Sequence, residues 1–260
     1  MTGAPAGRLR DARPRGAAAG VVPGPGTCHL WAAPVASHRT WRDVLTAEEE
    51  SRAAALPDGP ARATYVTSRG LQRRLGSHYL RTAPQDLRIV RTCAHCDTGA
   101  EHGRPRFEGA EPGGIDYSVA HTRHWVLAAV VSDGLIGVDV DTVPGPDTVD
   151  RLARKALTPG ERAGLADLAP GERAAGFLRL WTRKEAGTKL AGRGLAAPLA
   201  HLDATGPTLR AAGALPEGWP TVPIRLRDLP PVGPLGGDHR AALATTERIR
   251  HLALPEGWGP

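Results

Sequence analysis

The chain has 260 residues, enough for one large domain or two lobes of ordinary size, each able to bury a core. Charged residues make up 23% and apolar ones 41%, the balance of a soluble globular protein, and no apolar run approaches the roughly 20 residues a membrane-spanning helix needs. The net charge of +6 points to acidic partners; with three cysteines and no apolar secretory stretch in the opening MTGAPAGRLRDARPRGAAAG, a reducing cytoplasm is expected.

Residues 1–26 are Gly, Ala, Pro and Arg without periodicity and read as a disordered tail. A strand over CHLWAAPV begins near Thr27. LTAEEESRAAAL then places Thr46 three residues before Glu49, the spacing of a capping box, which starts a helix. A longer helix follows Asp58 and passes through Tyr65, Arg69 and Leu75 to about Leu80. LRIVRT, a Cys- and Gly-rich loop, and the strands IDYSVAH, HWVLAAVV and LIGVDVD come next.

Residues 147–157 read as helical, and Thr158, Pro159 and Glu161 supply a second capping box with proline at its first helical position. A strong helix covers about Glu172 to Leu190 and stops at Gly192 and Gly194, and TVPIRLRDL and HRAALATTER read as neighbours in an antiparallel meander. Helices and strands in both halves predict an α+β fold: a tail (1–26), an N-terminal lobe (27–135) and a C-terminal lobe (136–260) that meet near 135–145. No repeat is visible in the sequence.

Two segments carry chemistry. In IGVDVD, Val138 and Val140 fall on one face of a strand and Asp139 and Asp141 on the other. Neighbouring carboxylates repel and aspartate disfavours strands, a cost that a hard divalent cation bound through oxygen would offset. Alone, the segment is equally a strand end entering the turn before Pro144 and Pro146. In FLRLWTRKEAGTKL, Trp181, Glu185 and Lys189 recur at intervals of four and share a helix face. Alone, Glu185 and Lys189 are an ordinary surface ion pair, worth about 0.3–0.5 kcal/mol.

Together, the DVD strand and WTRKEAGTK, about 40 residues apart, resemble the signature pair (I/V)G(I/V)DxE and (F/W)xxKEAxxK of the 4′-phosphopantetheinyl transferase superfamily. The likeness covers roughly residues 28–250 and looks like the two-lobed, single-chain class named for the surfactin-activating enzyme (Sfp type). It implies two similar lobes related by a pseudo-twofold, each a small antiparallel sheet on a long helix. It also implies transfer of phosphopantetheine from coenzyme A to a serine of an acidic apo acyl or peptidyl carrier protein, with release of adenosine 3′,5′-bisphosphate. Such carriers serve fatty acid, polyketide, nonribosomal peptide or siderophore pathways, and the sequence does not select among them.

By the same resemblance, Asp139, Asp141 and Glu185 bind magnesium, Lys189 contacts phosphate, and Lys184 fills the lysine of the KEA triplet. SVAHTRHW resembles the family's NxSHS turn, which gives His121 the 3′-phosphate of coenzyme A. HGRP resembles GKP and places Arg104 near the nucleotide, and Arg69 and Arg52 match weaker basic positions near the 3′-phosphate. Glu185 and a metal-bound water are both candidates for the base that takes the serine proton. Two departures stand out: Asp141 where the family has Glu, and Ala120 where it has the NxSH serine. A cytoplasmic monomer that binds neither nucleic acid nor membrane is expected.

CAHCDTGAEHGRP sets Cys93, Cys96, His95 and His102 within ten residues, which can be half of a zinc site. A closed site needs four ligands, so thiols in a turn, paired or free, are preferred. One rival reading is a basic nucleic-acid module, which predicts Lys/Arg stripes with interleaved aromatics and leaves the DVD strand unexplained. Another is a catalytically weak scaffold for carrier proteins, which the intact Asp139, Glu185 and Lys189 argue against.

Overall fold

The computed structural model describes residues 22–92, 103–108, 114–230 and 238–254. The Cys93–His102 loop, with its zinc reading, and residues 1–21 of the expected tail lie outside the described residues.

In chain order the elements are β1 (Thr27–Pro34), α1 (His38–Trp41), α2 (Ala47–Ala55), α3 (Pro60–Leu80), β2 (Ile89–Thr92) and β3 (Arg104–Phe107). Then come β4 (Asp116–His121), β5 (Trp125–Val131), β6 (Ile136–Thr142), α4 (Pro146–Ala156), α5 (Pro159–Ala166) and α6 (Arg173–Leu190). The chain closes with β7 (Leu202–Asp203), β8 (Thr208–Ala211), β9 (Ile224–Asp228), β10 (His239–Thr245) and β11 (His251–Ala253). The fold is mixed α+β, and among the described residues no helix is long and apolar enough to cross a membrane.

One sheet has the order β11-β1-β5-β4, and α3 packs on it through Trp31, Leu71, Leu75, Tyr79, Tyr117 and Val126. A second sheet has the order β6-β10-β9-β8-β7, with Phe177, Ala186 and Leu190 of α6 in the core beside it. The expected meander is present, since β9 and β10 pair antiparallel. Both capping boxes form: Thr46 with Glu49 starts α2, and Thr158 with Glu161 starts α5.

The division by chain position needs one correction. β11 leaves the C-terminal half and pairs with β1 in parallel, so the first sheet is neither wholly antiparallel nor built from residues 27–135 alone. The turn before β1 anchors it: Gly26 O accepts from Arg250 N (2.7 Å) and His251 N (3.1 Å). Residues 22–26 of the expected tail are thus part of the fold, and Ser132 Oγ donates to Pro23 O at 2.5 Å.

The two sheets meet edge to edge at β4 and β6, and side chains replace the missing backbone ladder. Asp116 Oδ2 accepts from Ile136 N (2.7 Å) and Ser118 Oγ accepts from Val138 N (3.1 Å), so two donors on the inner edge of β6 find side-chain partners. Arg104 braces this seam. Its guanidinium pairs with Asp116 and donates to the carbonyls of Leu190 and Ile136.

Gly137 fixes how closely β6 approaches α6. A Cβ added there would lie 1.9 Å from Ala186 O and 2.7 Å from Leu190 N, inside the van der Waals surface of helix backbone that cannot swing away. Gly137→Ala should therefore push α6 off the strand and destabilise the protein by about 1–3 kcal/mol or more, the usual cost of overpacking a core. Urea denaturation will measure it, and a change below ~0.5 kcal/mol would mean that the contact is not rigid.

Candidate functional site

The β6–α6 contact brings the two motifs together. Lys189 Nζ donates to Asp139 Oδ1 at 2.7 Å, across 50 residues of chain. Asp139 and Glu185 are buried, 7% and 5% exposed, while Asp141 is half-buried toward the strand end and accepts from its neighbour Thr142 N (2.7 Å). Glu185 Oε1 is buried and has no hydrogen-bond partner among the described residues.

The charges of these groups act on one another. Burial, and then the negative charge of Asp139, raise the Glu185 pKa to about 7, with Lys189 acting against them. Burial likewise raises the Asp141 carboxyl, opposed by the Thr142 N–H and reinforced by Asp139. His121, at the end of β4, has its pKa lowered by burial and then by Lys189, with Asp139 and Asp141 pulling the other way. Asp139, Asp141, Glu185, Lys189 and His121 therefore share one electrostatic neighbourhood.

The donors suit a hard divalent cation in kind, being carboxylates that include an unpartnered buried oxygen. They are not assembled into a ligand set: among the described residues no three His, Cys, Asp or Glu side chains stand in a group that could hold a metal ion. Lys189, seated on Asp139, supplies the counter-charge in this structure.

A cleft of about 1580 Å³ opens beside these groups, and its lining includes Arg52, Arg69, Arg91, His121, Arg123, Asp141, Lys189 and Arg193. The wall is strongly basic, as an anionic ligand requires. Of the expected basic contacts, Arg52, Arg69 and His121 lie on the wall, Arg69 with its guanidinium 5.5 Å over the Tyr65 ring. Arg104 stands apart from these. It borders the cleft, but the residue is 7% exposed and its two terminal nitrogens are committed to Asp116 and two carbonyls, so in this structure it braces the seam.

Within WTRKEAGTK the residues divide by task. Arg183 forks onto Asp228 (2.5 and 2.8 Å) and donates to Ala204 O, while Glu185 and Lys189 face the acidic strand. Lys184 is fully buried; it pairs with Glu161 and donates to Ala156 O (2.7 Å) and Leu199 O (3.0 Å). Its three protons are thereby taken, and Trp181 packs on the neighbouring Ala156–Leu199–Leu202 cluster. Glu161 is more than a cap: its other oxygen accepts from Ala204 N at 2.9 Å.

The comparisons with known proteins bear on this region. Residues 135–219 match the family model of the 4′-phosphopantetheinyl transferase superfamily. That stretch contains β6, α6 and every residue of the acidic cluster except His121. AcpT of Salmonella typhimurium, a 4′-phosphopantetheinyl transferase, is 30% identical over 108 residues, 42% of this chain and 55% of the relative. A 4′-phosphopantetheinyl transferase of Bacillus subtilis is 32% identical over 99 residues, 38% of this chain and 42% of the relative. HetI of a Nostoc species, named likewise, is 25% identical over 176 residues, 65% of this chain and 70% of the relative. The match thus spans about half the length of the first two.

Sequence reasoning missed Arg91, Arg123 and Arg193 on the cleft wall. Arg91 had a signal: period two along β2 puts it on the face of Ile89, which packs on the core, where an apolar residue is expected.

Two predictions follow from the burial of these groups. Removing one member of the Lys184–Glu161 pair, as in Lys184→Met, strands a buried charge and should cost about 3–5 kcal/mol in denaturant unfolding, while a double replacement with Glu161→Gln should recover part of that loss. For Glu185 the folded protein holds its proton up to about pH 7, whereas the unfolded chain releases it near the ordinary value of 4.5. Its contribution to stability therefore falls as pH rises from 4.5 to 7. In chelator, Glu185→Gln should be more stable than the parent at alkaline pH, and the difference should shrink toward pH 4; urea titrations across pH measure both.

Proposed function

We propose that the chain transfers the 4′-phosphopantetheine arm of coenzyme A to a serine of an apo acyl or peptidyl carrier protein. The observation that carries this reading is the meeting of Asp139, Glu185 and Lys189 beside a basic cleft whose wall includes Asp141 and Lys189, within the stretch that matches the superfamily model. The relatives' names supply the reaction class.

In the reaction, the carrier serine oxygen attacks the phosphorus that bears the pantetheine arm. The bond to the second phosphate breaks, and adenosine 3′,5′-bisphosphate departs. Asp139, Asp141 and Glu185 would hold the magnesium ion, which supplies charge neutralisation on the two phosphates. Lys189 would leave Asp139 and donate to the phosphate oxygens as negative charge gathers there. Glu185, on the helix face that carries Lys189 toward Asp139, is this chain's own candidate for receiving the serine proton. An acidic carrier is favoured by the net charge of +6 and the basic cleft wall.

The two-lobed Sfp-type class belongs to the same proposal. It is supported by a repeated device: each capping-box glutamate, Glu49 and Glu161, also holds a buried basic side chain of its half's long helix, Arg73 on α3 (2.5 Å) and Lys184 on α6. Action as a monomer in the cytoplasm completes the reading.

Incubation with coenzyme A, magnesium and a panel of apo carriers should add one phosphopantetheine per carrier by mass spectrometry. Asp139→Ala and Glu185→Ala should each lower the rate at least about a hundredfold, the scale of losing a charge-stabilising group. Full activity of Glu185→Ala at saturating magnesium would reject the site.

A further inference from the structure

We propose that the Tyr79 hydroxyl, held between Trp31 and His29, is an acid-sensitive lock of α3 onto the first sheet, and that protonating His29 opens it. Trp31 Nε1 donates to the Tyr79 oxygen at 3.0 Å, and His29 Nδ1 lies 2.8 Å from the same oxygen. An indole N–H can only donate, so the phenol accepts from Trp31 and has one proton of its own to place. Among the described residues His29 Nδ1 is the acceptor for that proton, which assigns a neutral imidazole with its hydrogen on Nε2.

A protonated His29 would donate from Nδ1 instead. The Tyr79 hydroxyl, in a residue 6% exposed, would then meet two donors and keep a proton with no acceptor among the described residues. A buried donor left without a partner costs more than an ordinary hydrogen bond contributes.

The surroundings offer a charge on His29 no compensation. α3 contains no Asp or Glu; it presents His78 and Tyr79 to this cluster, while Arg74 lies over Trp41 and Arg81 caps the helix end. β5 brings no ionisable side chain, and β11 brings only His251, which stands opposite Thr27. On β1 itself Cys28 belongs to the opposite face, and burial pushes its thiol up to about 12, so it is uncharged. Burial lowers the pKa of both His29 and His78, and the charge of His78 lowers that of His29 further.

A group whose pKa is lower in the folded protein takes its proton more readily in the unfolded chain. The contribution of the lock is therefore full above the ordinary histidine value of 6.5 and is lost as pH falls below it. α3 also carries Tyr65, Arg69 and Gln72 to the cleft, so acid that frees its last turn slackens that wall.

The test compares urea unfolding of the full chain from about pH 7.5 to about pH 5 with that of His29→Gln, whose side-chain oxygen can accept from Tyr79 at every pH. Relative to the variant, the parent's unfolding constant should rise below pH 6.5 by up to about tenfold per pH unit, the limit for one extra proton bound on unfolding. Taking the ratio removes Glu185 and every other group common to both proteins. Hydrogen exchange, corrected for its intrinsic pH dependence, should show the protection of α3 falling with acid in the parent and not in the variant. NMR should find the His29 ring titrating below 6.5 in the folded parent, and Tyr79→Phe should move it upward.

Unfolding constants that keep a fixed ratio across this range would overturn the lock. An unchanged His29 titration in Tyr79→Phe would assign the shift to burial alone and overturn it as well. So would a His29 ring that titrates at or above 6.5 in the folded parent, a reading that needs no variant to fold.

Discussion

The closeness of β6 to α6 governs everything downstream in this molecule. At Gly137 a strand backbone lies against a helix backbone with no room for a methyl group, and that contact sets Asp139 beside Lys189 and within electrostatic reach of Glu185. The glycine of IGVDVD, which looks like mere motif filler, is the spacer between the strand that carries two carboxylates and the helix that carries the third. Arg104 and Asp116 hold the same strand from its other edge, so β6 is pinned on both sides before any ligand arrives.

The basic residues fall into two populations whose roles follow from burial. Arg73, Arg104, Arg183 and Lys184 are nearly inaccessible and each is held by a carboxylate and by carbonyls, so they act as rivets between elements. Arg69, Arg91, Arg123 and Lys189 border the cleft and give it a field that opposes the net negative charge of a nucleotide. Buried ion pairs add little net stability against an apolar replacement, but they punish removal of one partner. The rivets therefore contribute mostly to alignment, which a site assembled from separate elements requires.

How far the sequence reached depended on the range of the interaction. The capping boxes at Thr46 and Thr158 were legible because both partners lie within one helical turn, and the strands because their alternation is local. The motif pair marked Asp139, Asp141, Glu185 and Lys189 for one neighbourhood, where the structure puts them, although it does not gather the carboxylates into a ligand set. The bracing contacts of Arg104 were not legible because its partner Asp116 and the carbonyl of Leu190 reach it only through tertiary folding. β11 escaped because three residues with no strong alternation are recruited by an open edge of β1 and not by their own propensity.

That last strand has a consequence for how the chain comes to fold during synthesis. A ribosome releases β1 long before His251–Ala253, so the outer edge of β1 faces solvent unpaired while more than 200 intervening residues emerge. Exposed strand edges are templates for pairing with the wrong chain. The nascent protein thus carries a sticky margin until β11 has emerged. Its yield in cells should depend on chaperone supply more than the modest size of its sheets would suggest.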